Sequence, residues 1–472
     1  VVFSDPAFLF YFLPVSLLTY WAIGWRVRNL YLLLVSALFY TSGGGSFLLL
    51  VLGSSILTYA VARLMNAVTS VVVARLVKIL GISTLLSSLL FWKYLGFVVD
   101  QFTVIARSLG DGFDLNVSVV LPIAISFYTF QCVSYVIDVG RGTIPAERNL
   151  IRFLCYVLFF PQLIAGPIVR YTDVVEQLSE PPRDRWQSFV SACPRFFWGL
   201  SKKVLIADQV GQIADAAFGV AGYQLTSLDT VVGVVAYAIQ IYFDFSGYSD
   251  MAIGLSRMFG ITFPENFRHP YSAGTVTDFW RRWHISLSTW FRDYVYIPAG
   301  GNRHGVIRTY RNLVGVFILT GFWHGANWTF LCWGLLHGAA LIIERVTIGR
   351  RVMTSLGARF ALRIWTVLVV LTGWLLFRSV DLTHAGQLLR ALGGGNGFYP
   401  SELVVASLTS QRLLWGVLGL MTFLMPSRTS VGERLSVERP HPLLQISALA
   451  VGGLATLYVM SSSFSPFLYF QF

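Results

Sequence analysis

Two histidines stand where an imidazole is expensive to keep. His324, in Trp323-His324-Gly325, lies in the middle of a run from Asn312 to Ile343 that contains no Lys, Arg, Asp or Glu. Ionisable groups inside a membrane-spanning segment are costly and mark functional positions. His284 closes a second stretch, Asp278-Phe-Trp-Arg-Arg-Trp-His284, densely polar and aromatic in a very apolar chain. A neutral imidazole titrating near neutrality is a natural general base for attack of a hydroxyl on an acyl group. Gly321 and Gly325 flank His324 and allow close approach of a backbone or a substrate. For both histidines the plain alternative is a packed, hydrogen-bonded core residue, and His337, after Trp333-Gly334, reads that way first.

The elements that must position these groups are membrane helices. The chain is 55% hydrophobic and only 12% charged, with a mean hydropathy of +0.64, about half the charge of a soluble domain. Its net charge of +12 is spread over short loops, the pattern of cytoplasmic membrane faces rather than of a nucleic-acid surface. Apolar segments fall near 7–24, 30–62 (interrupted at Gly43-Gly44-Gly45), 77–99, 118–138, 149–168, 188–207, 228–259, 312–343, 360–377, 411–426 and 443–460. These predict an all-α polytopic protein of roughly eleven spans, forming one domain over residues 1–472. The first segment has Asp5, no basic leader and Pro14 in mid-run, so it reads as a retained span. Arg26 and Arg28 behind it predict an outward N-terminus. No repeat of fixed period appears, which argues against an inverted-repeat transporter. Cys132, Cys155, Cys193 and Cys332 have no metal or disulfide spacing and read as small hydrophobes.

Polar chemistry gathers between Ile261 and Arg311, which holds three of the seven histidines. Thr275-Val-Thr-Asp278 offers capping chemistry, predicting an amphipathic interfacial helix from Val276 to about Tyr294. Asp278 and Arg282 are spaced for an ion pair. Asp244 and Asp250 are carboxylates within or beside an apolar span and need partners; Lys202 and Lys203, or the basic stretch around His284, can supply them. Phe160-Pro161 through Gly166-Pro167 predicts broken helix at membrane depth, either re-entrant or simply kinked. Tyr171 to Arg185 reads as a solvated connection. Gly300-Gly301-Asn302-Arg303-His304-Gly305 is a basic loop able to hold phosphates, but it matches no nucleotide fingerprint. No metal site is expected. Gly-x-Ser-x-Gly and His-Glu-x-x-His are absent, which disfavours a serine hydrolase or a zincin.

The motifs together resemble the membrane-bound O-acyltransferases, and within them the subgroup of alginate and cellulose acetylation. The resemblance rests on Val2-Phe3-Ser4, Leu121 to Phe130, Leu163 to Pro167, Tyr242 to Gly254, Phe279 to Trp290, Gly300 to Arg303, Trp323 to Asn327 and the closing Phe464 to Phe472. It implies tilted helices around a thinned centre with a tunnel between the two membrane faces. His324 matches the family's catalytic histidine and His284 a second one. Arg281, Arg282, Arg303, Trp323 and Asn327 are then the candidate donor-binding residues, and Asp244 and Asp250 structural or tunnel-lining ones. The implied activity is transfer of an acetyl group from a cytoplasmic donor, acetyl-CoA, across the inner membrane for exopolysaccharide O-acetylation, with no permanently bound cofactor. Alginate is the first polymer and cellulose the second. A periplasmic polysaccharide O-acetyltransferase or an SGNH-hydrolase-like protein is the implied acceptor. A transporter and a scaffold subunit are the alternatives from other classes.

Overall fold

The computed structural model describes residues 3–109, 117, 119–181, 184–347, 355–425, 429–437 and 440–461; the closing motif at 464–472 and Val2 lie outside them. Every regular element among the described residues is helical. Ser70, Asn149, Thr275, Ser355 and Thr409 each precede a helix and accept a hydrogen bond from a backbone N–H in its first turn, satisfying donors that have no partner inside the helix. Six helical stretches among the described residues are long and apolar enough to cross a bilayer: Trp25–Ala67, Val71–Ser108, Ser227–Met258, Trp328–Thr347, Leu356–Arg378 and Pro442–Ser461. The contacts gather into two compact units.

The first unit comprises Phe3–Phe189 and Leu255–Pro264. The interruption expected at the glycine triplet is real: helices Arg28–Gly44 and Leu48–Ala67 meet at Gly45, whose φ of 52° is left-handed, a conformation glycine adopts without steric cost. The apolar window of helix Val71–Ser108 is only 11% buried within the protein, so lipid is the medium that covers it. The segment at 118–138 becomes helical only at Ile125, after Ala124 in left-handed geometry. The segment at 149–168 is not a span: helix Leu150–Leu158 breaks at Phe159, one turn follows at Phe160–Leu163, and no helix resumes before Tyr171. The freed groups find partners, since Phe160 N–H donates to Ser36 Oγ at 3.0 Å and Tyr156 Oη donates to the Val169 carbonyl at 3.0 Å. Such substitution is what irregular backbone in an apolar setting requires. The stretch from Tyr171 is not merely a solvated connection. It forms helix Tyr171–Ser179, with Tyr171, Val174 and Leu178 buried on one face.

The second unit comprises Val190–Gly254 and Glu265–Phe472 and contains both candidate histidines. Helix Ser227–Met258 is its most enclosed member, with a window 72% buried. The chain from Arg185 passes through a wide helical turn at Lys202–Ala207 into helix Asp208–Phe218, so 188–207 is one part of a longer helical element. The segment at 411–426 yields only the twelve-residue helix Ser410–Met421, about 18 Å long and too short for a hydrocarbon core of about 30 Å. The uncharged run at 312–343 is two helices instead of one span, Val306–His324 and Trp328–Thr347, joined by Gly325-Ala326-Asn327. They pack antiparallel and close. A methyl group at Gly321 would run into the Phe330 carbonyl, and one at Gly334 into the Phe317 carbonyl. His324 therefore ends a helix instead of sitting in the middle of one.

Candidate active site

Three hydrophobic rings and one helix end define the place of His324. It is the last residue of its helix and 6% exposed. Its ring lies 4.9 Å from Trp323, 5.1 Å from Trp333 and 5.1 Å from Phe377, in edge-on arrangements. The carbonyl end of a helix carries partial negative charge, which favours the imidazolium that forms when a base takes a proton.

His284 is reached differently. The continuous helix expected from Val276 to Tyr294 is broken into Val276–Trp280, Ile285–Phe291 and a wide turn at Arg292–Tyr296. The Thr275 cap and the Asp278–Arg282 ion pair, at 2.7 Å, are as the spacing predicts. The break is His284 itself, held at φ 43°, a left-handed conformation costing about 1–3 kcal/mol for a side chain of this kind. Surrounding contacts over-determine it. Ile285 N–H donates to the Asn266 carbonyl at 3.0 Å and Arg268 N–H to the Arg282 carbonyl at 3.0 Å, so 266–268 runs beside 282–285. The ring is 1% exposed, edge-on to Phe245 at 4.7 Å, with Nδ1 3.1 Å from Asn266 Oδ1. Burial pushes this imidazole down to about 3, so it is neutral at physiological pH. Trp323 joins the two histidines: its ring is 6.2 Å from that of His284 and 4.9 Å from that of His324.

A cavity of about 960 Å³ adjoins this group. Neither histidine lines it, but Thr320, one turn before His324, and Ile285, next to His284, both do. Leu313, Val316, Phe317 and Leu341 make part of its wall apolar, while Arg281, Arg345 and Arg292, the last paired with Asp293 at 2.7 Å, bring positive charge and Glu344 one negative charge. Of the five donor-binding candidates, Arg281 alone reaches the cavity wall. Arg282 is committed to Asp278 and to Ser272 Oγ. Arg303 is exposed on its loop, where Gly300, Gly301 and Gly305 all have positive φ. Trp323 neighbours both histidines. Asn327 accepts from Thr329 N–H at 3.1 Å and donates to the Val380 carbonyl at 2.7 Å, which fixes the turn of the hairpin.

Asp244 and Asp250 receive the partners that two buried carboxylates demand. Lys203 Nζ lies 2.7 Å from Asp244 and 2.7 Å from Asp208; Lys202 Nζ lies 2.7 Å from Asp250, and Arg195 contacts both Asp250 and Glu265. Arg195, Asn266 and Arg345 are absent from the sequence reading. A signal for Arg195 exists: Arg195 lies two turns before the adjacent pair Lys202-Lys203 in one apolar segment, and such charges require buried acids. The signal for Asn266 was weaker, a polar pair Glu265-Asn266 directly after Pro264.

Two buried imidazoles and a nearby cavity with apolar and cationic walls thus stand together in a multi-pass membrane protein. The model of the MBOAT, membrane-bound O-acyltransferase family, matches residues 144–382, and the chain belongs to this family. Among curated relatives, "Probable alginate O-acetylase AlgI" of Pseudomonas putida is 40% identical over the whole of both chains. Its namesake in Pseudomonas aeruginosa is 42% identical over 97% of this chain and 87% of its own. "Peptidoglycan O-acetyltransferase" of Helicobacter pylori is 37% identical over 84% of this chain and 80% of its own. The chain is an O-acyltransferase of the membrane.

Proposed function

We propose that this protein carries an acetyl group from cytoplasmic acetyl-CoA across the bacterial inner membrane for O-acetylation of an exopolysaccharide, with alginate as the polymer. The observation that carries the reading is end-to-end similarity to proteins described as alginate O-acetylases, on a chain whose two buried histidines share Trp323 as a neighbour. The similarity to a peptidoglycan O-acetyltransferase over most of the chain supports the same chemistry and makes peptidoglycan, ahead of cellulose, the second polymer.

His324, with His284 beside it, takes the proton of an acceptor hydroxyl. The freed oxygen attacks the thioester carbonyl, the carbon–sulfur bond breaks, and the departing thiolate recovers the proton from the imidazolium. Orientation of base and donor away from water accounts for much of the acceleration. The cavity edged by Arg281, Arg292 and Arg345 is the donor site in this reading: cationic groups for phosphates, an apolar wall for the pantetheine arm. The immediate acceptor is a hydroxyl on a periplasmic polysaccharide O-acetyltransferase or SGNH-hydrolase-like partner. Replacing His324 with Ala in a strain that makes the polymer, and titrating acetyl esters on it, tests the proposal. Loss of the esters at unchanged protein level is expected, and full acetylation would overturn it.

A further inference from the structure

We infer that Asn266 is a positioning residue that fixes His284 as its Nδ1–H tautomer and so leaves the basic lone pair on Nε2. The inference rests on the role of His284 in acyl transfer given above.

The orientation of the Asn266 amide decides the matter, and two contacts fix it. Ser286 N–H, which can only donate, meets one amide atom at 3.3 Å, so that atom is the oxygen. The amide nitrogen on the other side donates to Ser249 Oγ at 3.1 Å. An acceptor thus faces His284 Nδ1 at 3.1 Å. Two lone pairs at that distance would repel, so Nδ1 carries the proton. Ser286 Oγ is 2.9 Å from the amide oxygen and 3.4 Å from Nδ1, so its hydroxyl proton belongs to the shorter contact and does not compete for Nδ1. A neutral imidazole has one donor and one acceptor nitrogen, and the acceptor is then Nε2.

The amide is itself held. Its chain neighbour Glu265 accepts from both terminal nitrogens of Arg195, at 2.5 and 2.6 Å. The same guanidinium reaches Asp250 Oδ1 at 2.9 and 3.1 Å, and Asp250 adjoins Ser249, the acceptor for the amide nitrogen. One buried cation thereby pins both ends of the amide's support. The salt-bridge network that looks purely structural has a catalytic beneficiary, and a wrong tautomer in an otherwise intact site is known to be severe in hydrolases that orient a histidine in this way.

Full-length protein in detergent, labelled with ¹⁵N-histidine, provides the test, with the His284 signals assigned by their disappearance in His284→Gln. The wild type is expected to show the Nδ1–H tautomer. Asn266→Ala should lose that pure tautomer and lower kcat for CoA release from acetyl-CoA by roughly 10- to 100-fold with KM unchanged. Asn266→Asp keeps an acceptor toward Nδ1 and should retain the tautomer, with its pH–rate profile displaced upward by the added negative charge; it also serves if the Ala variant fails to accumulate. An Nε2–H signal in the wild type, or a tautomer unmoved in Asn266→Ala, overturns the inference; in Asn266→Asp, loss of the Nδ1–H tautomer does so. Full activity in His284→Gln would instead remove the catalytic role of His284, while the spectra would still report who sets its tautomer.

Discussion

Trp280 donates its indole N–H to Nδ1 of His337 at 3.3 Å, in an edge-on aromatic cluster that also holds Trp333 at 5.2 Å from the imidazole. The second histidine of the uncharged run is thereby accounted for as a structural acceptor. His337→Ala leaves that indole without its acceptor and is expected to destabilise the protein by about 1–3 kcal/mol. The fraction that folds should still acetylate. His337→Gln, whose amide oxygen can accept, should recover part of the loss. Thermal unfolding in detergent and ester content of the polymer read the two effects separately.

His324 packs edge-on against Trp323, Trp333 and Phe377, so an aromatic replacement can keep its packing while removing its chemistry. His324→Phe preserves an aromatic body between Trp333 and Phe377. It should accumulate like the wild type and have no acetylation above background, whereas a packing role would leave it active.

The two buried aspartates differ in what their loss strands. Asp250→Asn removes the carboxylate paired with Lys202 and leaves Arg195 with Glu265, while Asp244→Asn leaves Lys203 its second partner, Asp208. Breaking a buried pair costs about 3–5 kcal/mol when the remaining charge is uncompensated. The expected order of thermal stability is wild type, then Asp244→Asn, then Asp250→Asn. Equal midpoints for the two variants would contradict it.

Stability should fall in acid through His284. Its ordinary value is 6.5 and its folded value about 3, so below about pH 6.5 the unfolded chain binds a proton that the folded one refuses. The folded state loses stability as pH falls through that window, by about 2 kcal/mol at pH 5. Thermal midpoints of the wild type should therefore drop more steeply between about pH 7 and pH 5 than those of His284→Gln. Parallel curves would exclude it.

Donor binding should depend on the cavity wall and not on the glycine-rich loop. Arg281→Ala is expected to raise KM for acetyl-CoA roughly tenfold or more, the worth of one charge-assisted hydrogen bond. Arg303→Ala should leave it unchanged, since Arg303 is exposed and off that wall. A salt titration of the wild type should weaken binding in the same direction as the Arg281 substitution.

Composition and apolar runs were enough to read an all-helical membrane protein, and the absence of charge around His324 was enough to single it out. Residue types also announced the Thr275 cap and the partners of Asp244 and Asp250. What stayed hidden followed from backbone geometry. The Val276–Tyr294 stretch has helical spacing throughout, and nothing in its residue types signals that His284 turns left-handed; tertiary hydrogen bonds accepted by Asn266 impose that. The run at 312–343 reads as one span because Gly325-Ala326-Asn327 carries no charge, yet Asn327 closes a hairpin there. Asn266 belongs to no motif of its own, and its meaning comes only from Ser249, His284, Ile285 and Ser286, which it touches.

The close seam between Val306–His324 and Trp328–Thr347 has a consequence for register. Gly321 rests on the Phe330 carbonyl one turn before His324, so rotation of the helix about its own axis is blocked just where the imidazole leaves it. Adding or deleting a single residue between 321 and 324 would swing the ring by about 100°, away from Trp333 and Phe377. The four residues from that contact to the helix end thus act as a keyed shaft, and only insertions on the far side of the turn leave the direction of the imidazole untouched.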